Sequence, residues 1–262
     1  MIASSVGRVG TWSEEGAPDG AELHHGPYLA KFAIKTDEIA AALRLRFEVF
    51  NMELNEGLHS AYVSGYDHDE FDAVCDHLIV KHIPSKHIVG TYRLQTGITA
   101  VENLGYYSQR EFDFGPYETL RPALVELGRA CIHREHRSTD VLYLLWRGIA
   151  EYAIKRGSRF LIGCSSLTSQ DPAHGSAVYK RLLEWQVEDS LRTVPHESFA
   201  MPIVHSSPAD AGVPKLLRTY LAIGARICGP PAIDLEFKTI DFLTLLDLER
   251  LHPRMRMRFL EK

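Results

Sequence analysis

The 262-residue sequence contains only four cysteines, and no two of them form a C-x-x-C pair. Cys75, Cys131, Cys164 and Cys228 are scattered along the chain. Zinc modules need closely spaced ligand pairs, and disulfide frameworks belong to oxidising compartments. The pattern therefore predicts reduced thiols in a cytoplasmic protein and no zinc module.

The sequence also lacks an excess of basic residues and any long apolar run. Its 29 lysines and arginines are outnumbered by 34 aspartates and glutamates, for a net charge of −5. This balance argues against general nucleic-acid binding, which needs a basic face. No apolar segment approaches the length of a membrane span, and the N-terminal residues MIASSVGRVG lack the apolar core of a signal peptide. We therefore expect any membrane contact to be peripheral.

Two familiar motifs are missing as well. Serines follow the apolar segment 160–165, with His174 nearby, but no G-x-S-x-G elbow supports a serine hydrolase. An acidic group occupies residues 67–72. Counted from Asp67, the sixth position of an EF-hand is Asp72 instead of Gly, and the twelfth is Leu78 instead of Glu, so no calcium loop is predicted. The acidic group remains open to two interpretations, recognition of a cationic substrate or a solvated loop.

Apolar periodicity predicts an α/β fold. Strands are predicted for residues 28–34, 75–83, 88–95, 160–165 and 241–248 and for a segment from Val125. Helices are predicted for residues 36–50, 141–156, 176–186 and 214–223. This mixed order favours a single domain, residues 27–262, with a central twisted mixed sheet flanked by helices. Residues 1–26 are rich in Gly, Ser and acidic side chains and are expected to form a mobile arm. The polar segment 51–74 is too long for an ordinary connection.

Residues 125–147 combine a strand, a basic turn and a helix. Glu126 and Arg129 lie within the strand, and both are costly to bury without a partner. Three residues apart, they face opposite sides of a regular strand. One interpretation is a structural ion pair for each, such as Glu126 with Arg93. The other is a local splay or bulge that turns Glu126 towards a cleft as a general base, and the spacing does not decide between them.

The turn after this strand carries His133, Arg134, His136 and Arg137. The arginines would repel a metal cation, and no carboxylate or cysteine completes a known ligand spacing. A helix that begins at residues 138–140 directs backbone N–H groups and a positive dipole end at this turn, which suits a phosphate. Anion binding and a solvated basic turn both remain open.

Several short motifs occur in an order typical of one superfamily: Arg46…Phe50, Asp69-Glu70-Phe71-Asp72, Cys75-Asp76-His77, Gly90-Thr91-Tyr92-Arg93 and Glu126-Leu127-Gly128-Arg129. Together they resemble the GNAT acyltransferases that use acyl carrier protein. The chain is most similar to the bacterial ornithine lipid N-acyltransferases, often labelled hemolysin-like, and more distantly to the acyl-homoserine-lactone synthases. The stretches VLYLLWRGIA, LIGCSSL and PPAIDLEFKTIDFLTLLDLERL extend the resemblance over roughly residues 28–260.

The resemblance implies a GNAT-like fold and an N-acyltransferase with no bound cofactor or metal. Its co-substrate is the phosphopantetheine thioester of acyl carrier protein. Glu126 is implied as the general base, with the oxyanion held by backbone N–H groups near residues 130–132. Three sets of site residues follow: Glu126 and Arg129 as catalytic; Arg46, Phe50, Asp69, Asp72 and Arg93 as substrate-binding; Arg134, Arg137, Ser138 and Thr139 as phosphopantetheine- or carrier-binding.

One departure from the wider superfamily concerns the acyl donor. Acetyl-CoA enzymes usually carry an Arg-x-x-Gly-x-Gly/Ala loop, whose glycines let the backbone approach the CoA pyrophosphate. This chain has Arg-Glu-His-Arg-Ser-Thr at residues 134–139, without glycine. A single phosphodiester needs less room than a pyrophosphate, which favours acyl carrier protein over CoA.

The resulting expectation is transfer of a (3-hydroxy)fatty acyl group from acyl carrier protein to the α-amine of an amino acid, with L-ornithine as first choice, giving lyso-ornithine lipid. Acceptors such as glycine, glutamine or tyrosine are the alternative, followed by an acyl-homoserine-lactone synthase and by a non-catalytic GNAT-like binding module. The product is amphiphilic, so peripheral contact with the cytoplasmic face of the inner membrane is expected. The C-terminal residues RMRMRFLEK are a candidate for it, although a fraying charged terminus is the simpler interpretation.

Overall fold

The computed structural model describes residues 22–204 and 211–259. Nine strands lie in this part of the chain, in the spatial order β1-β2-β3-β4-β5-β6-β9-β7, with β8 also pairing with β9. They are β1 Leu23–His25, β2 Tyr28–Phe32, β3 Asp76–His82, β4 Ile88–Thr96, β5 Leu124–Ile132, β6 Phe160–Leu167, β7 Arg226–Ile227, β8 Ala232–Asp234 and β9 Thr239–Asp247. All pairings are antiparallel except β5 with β6, so the predicted mixed sheet is confirmed.

Helices flank this sheet. The described α-helices are α1 Thr36–Phe47, α2 Ala61–Ser64, α3 Gly97–Glu102, α4 Thr139–Lys155, α5 Pro172–Leu182, α6 Lys215–Ile223 and α7 Pro253–Phe259. A π-helical segment, Glu48–Glu53, continues α1, and a short 3₁₀ helix, Glu70–Ala73, lies in the segment predicted as an irregular loop. Within the described ranges no helix is both long and apolar enough to cross a membrane.

Helix α4 packs on β2, β3 and β4 through the apolar stripe that the sequence predicts. Val141, Leu144, Leu145 and Ile149 are all buried. Full burial of each such side chain contributes roughly 1.5–3 kcal/mol. The helix approaches closely because it carries Gly148, where an added Cβ would lie 2.7 Å from the nearest side-chain carbon of β3. This packing fixes the start of α4 beside the end of β5.

Two predictions about the chain ends need correction. The arm predicted for residues 1–26 falls mostly outside the described residues, but Leu23–His25 form β1 and pair with β2 at the edge of the sheet. Near the other terminus, residues 260–262 lie outside the described part of the chain, but residues 253–259 are helical. They form α7, whose Phe259 is buried against Trp146 of α4.

Candidate active site

The candidate active site lies where β5 and β6 separate. The parallel strands pair only at Leu124↔Phe160, Val125↔Leu161 and Glu126↔Ile162. At the point of separation an added Cβ on Gly163 would lie 2.2 Å from the carbonyl oxygen of Leu127, so a larger residue would force the two strands apart. Beyond Glu126, β5 pairs only with β4 among the described strands, and one backbone edge of β5 therefore faces a cleft.

Strand β5 is also irregular at the same place. Its register with β4 shifts between Thr91 and Arg93, and Arg129 has a φ of +50°, which side-chain-bearing residues rarely adopt. This bulge breaks the alternation that would put Glu126 and Arg129 on opposite faces. Both residues line the same cavity. The structure thus has the splay and the bulge that the second interpretation of Glu126 requires.

The cavity occupies about 230 Å³ between the separating strands, and its wall has two chemically different parts. One part is apolar and borders the core beneath α4: Tyr92, Leu94, Trp146, Leu161, Tyr220 and Leu246. The other part carries the buried carboxyl groups of Glu56, Glu111, Glu126, Asp234 and Asp241. A single cavity therefore offers surfaces for an acyl chain and for a polar acceptor.

Glu126 is 4% exposed and accepts three hydrogen bonds. Gln95 Nε2 donates to its Oε2 at 2.7 Å, the backbone N–H of Tyr107 donates to Oε2 at 2.9 Å, and that of Ser108 donates to Oε1 at 2.7 Å. A carboxylate has about four acceptor positions. One position on Oε1 therefore remains available for a proton or a water molecule.

Arg93 does not pair with Glu126, because it forms ion pairs with aspartates in a buried network of arginines and aspartates. Arg46 donates to Asp67 at 2.7 Å and to Asp72 at 2.6 Å; Arg93 donates to Asp72 at 3.0 Å. On the other side of this network, Arg129 donates to Asp69 at 2.9 Å. Three arginines face three aspartates, so the network is electrically balanced within the protein.

The pKa values of these aspartates follow from the same contacts. Burial alone would raise the pKa of Asp72, but Arg46 and Arg93 outweigh burial and hold that pKa well below its usual range. The pKa of Asp69 is lowered in the same way by Arg93 and Arg129. The interpretation of segment 67–72 as a solvated loop is wrong, because Asp67, Asp69 and Asp72 are buried in ion pairs with arginines that hold the segment in place. Asp69 and Asp72 also cap the 3₁₀ helix Glu70–Ala73 reciprocally.

Of the five predicted substrate-binding residues, Phe50 and Arg93 line the cavity, whereas Arg46, Asp69 and Asp72 lie behind its wall. Trp146 also lines the cavity. The substrate-binding roles of all five stay predictions, because the structure contains no substrate.

The residues predicted to bind phosphopantetheine lie together at the start of α4. Ser138 is the N-cap of this helix, and its Oγ accepts the backbone N–H of Val141 at 3.4 Å; Thr139 is the first helical residue. Arg134 lies in a 3₁₀ turn just before them. Arg137 is half-exposed and forms an ion pair with Glu53, its Nη1 2.7 Å from Oε1. The grouping is as predicted, but part of its positive charge is already paired.

Sequence reasoning missed Gln95, Glu111, Asp234 and Asp241, which all line the cavity. Asp234 and Asp241 fall within the stretch PPAIDLEFKTIDFLTLLDLERL, which contributes to the resemblance without marking either residue as part of a site. The four residues are brought together by the pairing of β8 with β9 and by the turn after α3. A second sequence signal was that Asp241 is an acidic residue at the start of the strand predicted for 241–248. Buried strand carboxylates are rare enough to count as candidates for a site.

Comparison with known proteins places this geometry in a family. Residues 45–147 match the acetyltransferase (GNAT) domain. The chain is 34% identical to the L-ornithine N(alpha)-acyltransferase of Brucella abortus (strain 2308) over 236 residues, which cover 82% of this chain and 83% of that protein. It is 33% identical to the enzyme of the same name from Agrobacterium fabrum (strain C58 / ATCC 33970) over 246 residues, covering 87% and 84%.

A solved structure supports the fold. FeeM, an N-acyl amino acid synthase from uncultured soil microbes, matches with a TM-score of 0.52 at 9% identity, over 85% of this chain and 91% of that one. The predicted GNAT-like fold and the predicted resemblance are both confirmed. The chain belongs to the family of the L-ornithine N(alpha)-acyltransferases.

Proposed function

We propose that this protein transfers a fatty acyl group from a thioester to the α-amine of L-ornithine, producing lyso-ornithine lipid. The acceptor is inferred from the relatives, whose names specify L-ornithine. One structural observation carries the proposal. A single cavity at the separation of β5 and β6 joins an apolar wall to a wall of buried carboxyl groups, which matches a product with an acyl chain and a cationic head.

In this proposal Glu126 removes the proton from the α-ammonium. An ammonium cannot attack a thioester, so the proton must leave before or during attack. Glu126 lines the cavity in which an amine can be placed, and its three donors fix the carboxylate in orientation. A base held in this way accepts the proton directly or through one water molecule.

The oxyanion of the tetrahedral intermediate is assigned to the exposed backbone edge of β5. Beyond Glu126, the N–H groups on the side of β5 that faces away from β4 have no neighbouring strand among the described residues. Strand edges of this kind can donate to a developing negative charge, and loss of one such donor typically costs about 3 kcal/mol. The carbon–sulfur bond of the thioester then breaks, and the pantetheine sulfur takes up a proton and leaves as the thiol.

Transfer is direct, without an acyl-cysteine intermediate. Cys75 and Cys164 both line the cavity, but burial raises the pKa of each thiol above its usual value. The thiol is a poor nucleophile compared with the thiolate. The α-amine is therefore the nucleophile that meets the thioester.

We assign the acyl donor to acyl carrier protein. The start of α4 offers backbone N–H groups and Ser138 to a phosphate, and its preceding turn has no glycine to admit a CoA pyrophosphate. Arg134 and Arg137 add positive charge at this point, which favours docking of an acidic carrier.

Peripheral contact with an anionic membrane through the exposed Arg254 and Arg256 of α7 is part of the same proposal, since the product enters the bilayer.

The test offers the purified protein a 3-hydroxyacyl carrier protein, an acyl carrier protein without the hydroxyl group, and the matching acyl-CoA esters. Each donor is combined with ornithine, lysine, glycine, glutamine, tyrosine or S-adenosylmethionine, and products are identified by mass. We expect N-acyl-ornithine from carrier-bound donors and much less from CoA esters. An acyl-homoserine lactone as the main product, or no acyl-ornithine from any donor, would contradict the proposal.

A further inference from the structure

Three carboxyl groups meet in the polar part of the cavity, and we call them the acidic subsite: Glu111, Asp234 and Asp241. One oxygen of each lies within 4.8 Å of the others, and all three side chains are buried. Asp234 is in β8 and Asp241 in the neighbouring β9, while Glu111 follows the 3₁₀ turn Ser108–Arg110. Glu56 lies close enough to Asp241 for the two charges to interact.

The acidic subsite has no cation of its own among the described residues. The nearest positive charge is Arg129, which interacts with Glu111 and Asp241 but is already paired with Asp69. Arg93, the other arginine in the cavity wall, donates to Asp72. The charges of the buried arginines are thus neutralised by aspartates that do not line the cavity. The carboxyl groups that do line it carry negative charge without a matching cation. Several buried carboxyl groups this close together can all be ionised only when a bound cation neutralises part of their charge.

One buried oxygen in the subsite accepts no hydrogen bond, although Ser166 and the carboxyl group of Glu111 lie beside the same side chain. Asp241 Oδ2 accepts a hydrogen bond from Thr239 Oγ1 at 3.0 Å, whereas Oδ1 is buried and accepts none. Asp241 is only 4% exposed and lines the cavity. Leaving a buried acceptor without a hydrogen bond is unfavourable, and more so when the group is charged. An atom in this condition indicates a ligand that donates a hydrogen bond to it.

The titration of the subsite supports this view. Burial, together with Asp234, raises the pKa of Asp241 to about 6, and burial together with Asp241 and Asp234 raises the pKa of Glu111 well above its usual value. Burial, with a contribution from Asp241, raises the pKa of Glu56 to about 7. An empty subsite therefore keeps its protons to a higher pH than isolated carboxyl groups would, and a bound cation favours their release.

We propose that the acidic subsite binds the side-chain ammonium of the acceptor, so that the enzyme selects an amino acid with a second, cationic amine. This inference rests on the proposed function and adds to it the residues that determine acceptor specificity. The α-amine must lose its proton to react, whereas the side-chain amine keeps its own. The backbone of Ser108 links the two sites, because its N–H donates to Glu126 and its carbonyl accepts from the N–H of Glu111.

An ammonium fits the subsite better than a metal ion. It carries one charge and three N–H donors, enough for the unpartnered Asp241 Oδ1 and for one oxygen each from Glu111 and Asp234. A divalent ion would lie near the guanidinium of Arg129, which opposes a second charge of the same sign. Asp234 Oδ1 is further occupied by the backbone N–H groups of Glu236 and Phe237, both at 2.8 Å.

The experiment compares L-ornithine with L-norvaline, which has the same carbon chain but no side-chain amine. We expect the wild-type protein to acylate ornithine with a kcat/KM roughly a hundredfold or more above that for norvaline. Asp241→Asn should lower this preference by about tenfold or more, mainly by raising the KM for ornithine relative to that for norvaline. Glu111→Gln should act in the same direction.

Asp189→Asn serves as the matched control, since Asp189 is exposed and lies outside the cavity. Its ornithine preference should equal that of the wild type. A thermal melt of each variant establishes that it is folded. An Asp241→Asn protein that is folded and keeps the full ornithine preference would overturn the proposal.

Binding measured by calorimetry separates this inference from the proposed reaction. Selective ornithine binding that is lost in Asp241→Asn, without any acylation, supports the subsite and contradicts the reaction. Acylation of ornithine and norvaline with equal kcat/KM supports the reaction and overturns the subsite. Loss of activity in EDTA, restored by Mg²⁺ or Ca²⁺ in the wild type but not in Asp241→Asn, would make the subsite a metal site and overturn the proposal.

Discussion

At the scale of single residues, Glu126 shows how one carboxylate can be both structural and reactive. Its three donors tie the loop at Tyr107 and Ser108 to β5, and they leave one acceptor position on Oε1. A carboxylate that is held by neutral donors keeps its orientation without a salt bridge. The example given for an ion pair of Glu126 was Arg93, which the structure instead pairs with Asp69 and Asp72.

Glu126→Gln tests the assigned base. We expect a loss of about 10²–10⁴-fold in kcat, with little change in the KM for the acyl carrier, because the amide cannot accept the proton. The amide also places an N–H group among three donors, so a stability loss of about 1–3 kcal/mol is expected. Glu102→Gln, at an exposed position on α3, is the control. Near-normal kcat in a folded Glu126→Gln protein would exclude Glu126 as the base.

The spacing of Glu126 and Arg129 could not by itself predict their shared cavity. A regular strand would separate them, and only the register shift and the positive φ of Arg129 bring both to one side. The acidic subsite was even harder to predict from the sequence, because its three residues come from separate segments. Their meeting depends on the pairing of β8 with β9 and on the position of the loop before β5. Local patterns contain no information about such tertiary contacts.

At the scale of elements, periodicity predicted most of the sheet and helix α4. The hairpin of β3 and β4 and the buried strand β6 agree with the prediction to within one or two residues. Short elements without a periodic signal were missed, among them β1, α2, α3 and α7. The polar segment 51–74 gave no helical pattern because buried ion pairs with Arg46, Arg93 and Arg129 hold it, in place of an apolar stripe.

The start of α4 and its preceding turn are expected to receive the phosphate of the carrier's prosthetic group. Arg137→Ala should raise the KM for the acyl carrier about three- to tenfold and make that KM less sensitive to salt, since one cation is lost from the docking surface. The effect is limited because Arg137 shares its charge with Glu53. Arg192→Ala removes another exposed arginine that is paired with an acidic residue, and serves as the control. Equal salt dependence in Arg137→Ala and the wild type would contradict carrier contact at this residue.

At the scale of the whole molecule, buried charge is divided into two groups that respond to pH in opposite ways. In the arginine–aspartate network the pKa values of Asp69 and Asp72 are lowered despite burial, because arginines face both residues. That network stabilises the fold above about pH 4, the usual pKa of an unfolded aspartate, and its contribution is lost as the pH falls below this value. In the cavity, burial and like charges raise the pKa values of Asp241, Glu56 and Glu111.

The three cavity carboxyl groups with raised pKa values, Asp241, Glu56 and Glu111, should make the ligand-free protein less stable as the pH rises from about 4 to 7. In this range the folded protein binds more protons than the unfolded chain, so the free energy of unfolding falls with increasing pH. For Asp241, whose pKa moves from 3.8 to about 6, the loss amounts to roughly 3 kcal/mol. The groups facing Asp241 are Glu111, Asp234, Glu56 and Arg129, and all but Arg129 add to its destabilisation when ionised.

Asp241→Asn isolates this contribution, because the amide keeps an oxygen for Thr239 and carries no charge at any pH. Its melting temperature relative to the wild type should rise between pH 4.5 and pH 8, by roughly 2–4 °C for each kcal/mol in a protein of this size. Saturating ornithine should reverse the difference at pH 8, since the bound ammonium stabilises the ionised wild-type subsite and not the amide. A melting-temperature difference that is independent of both pH and ornithine would show that the pKa of Asp241 is not raised in the folded protein, and it would contradict the proposed titration.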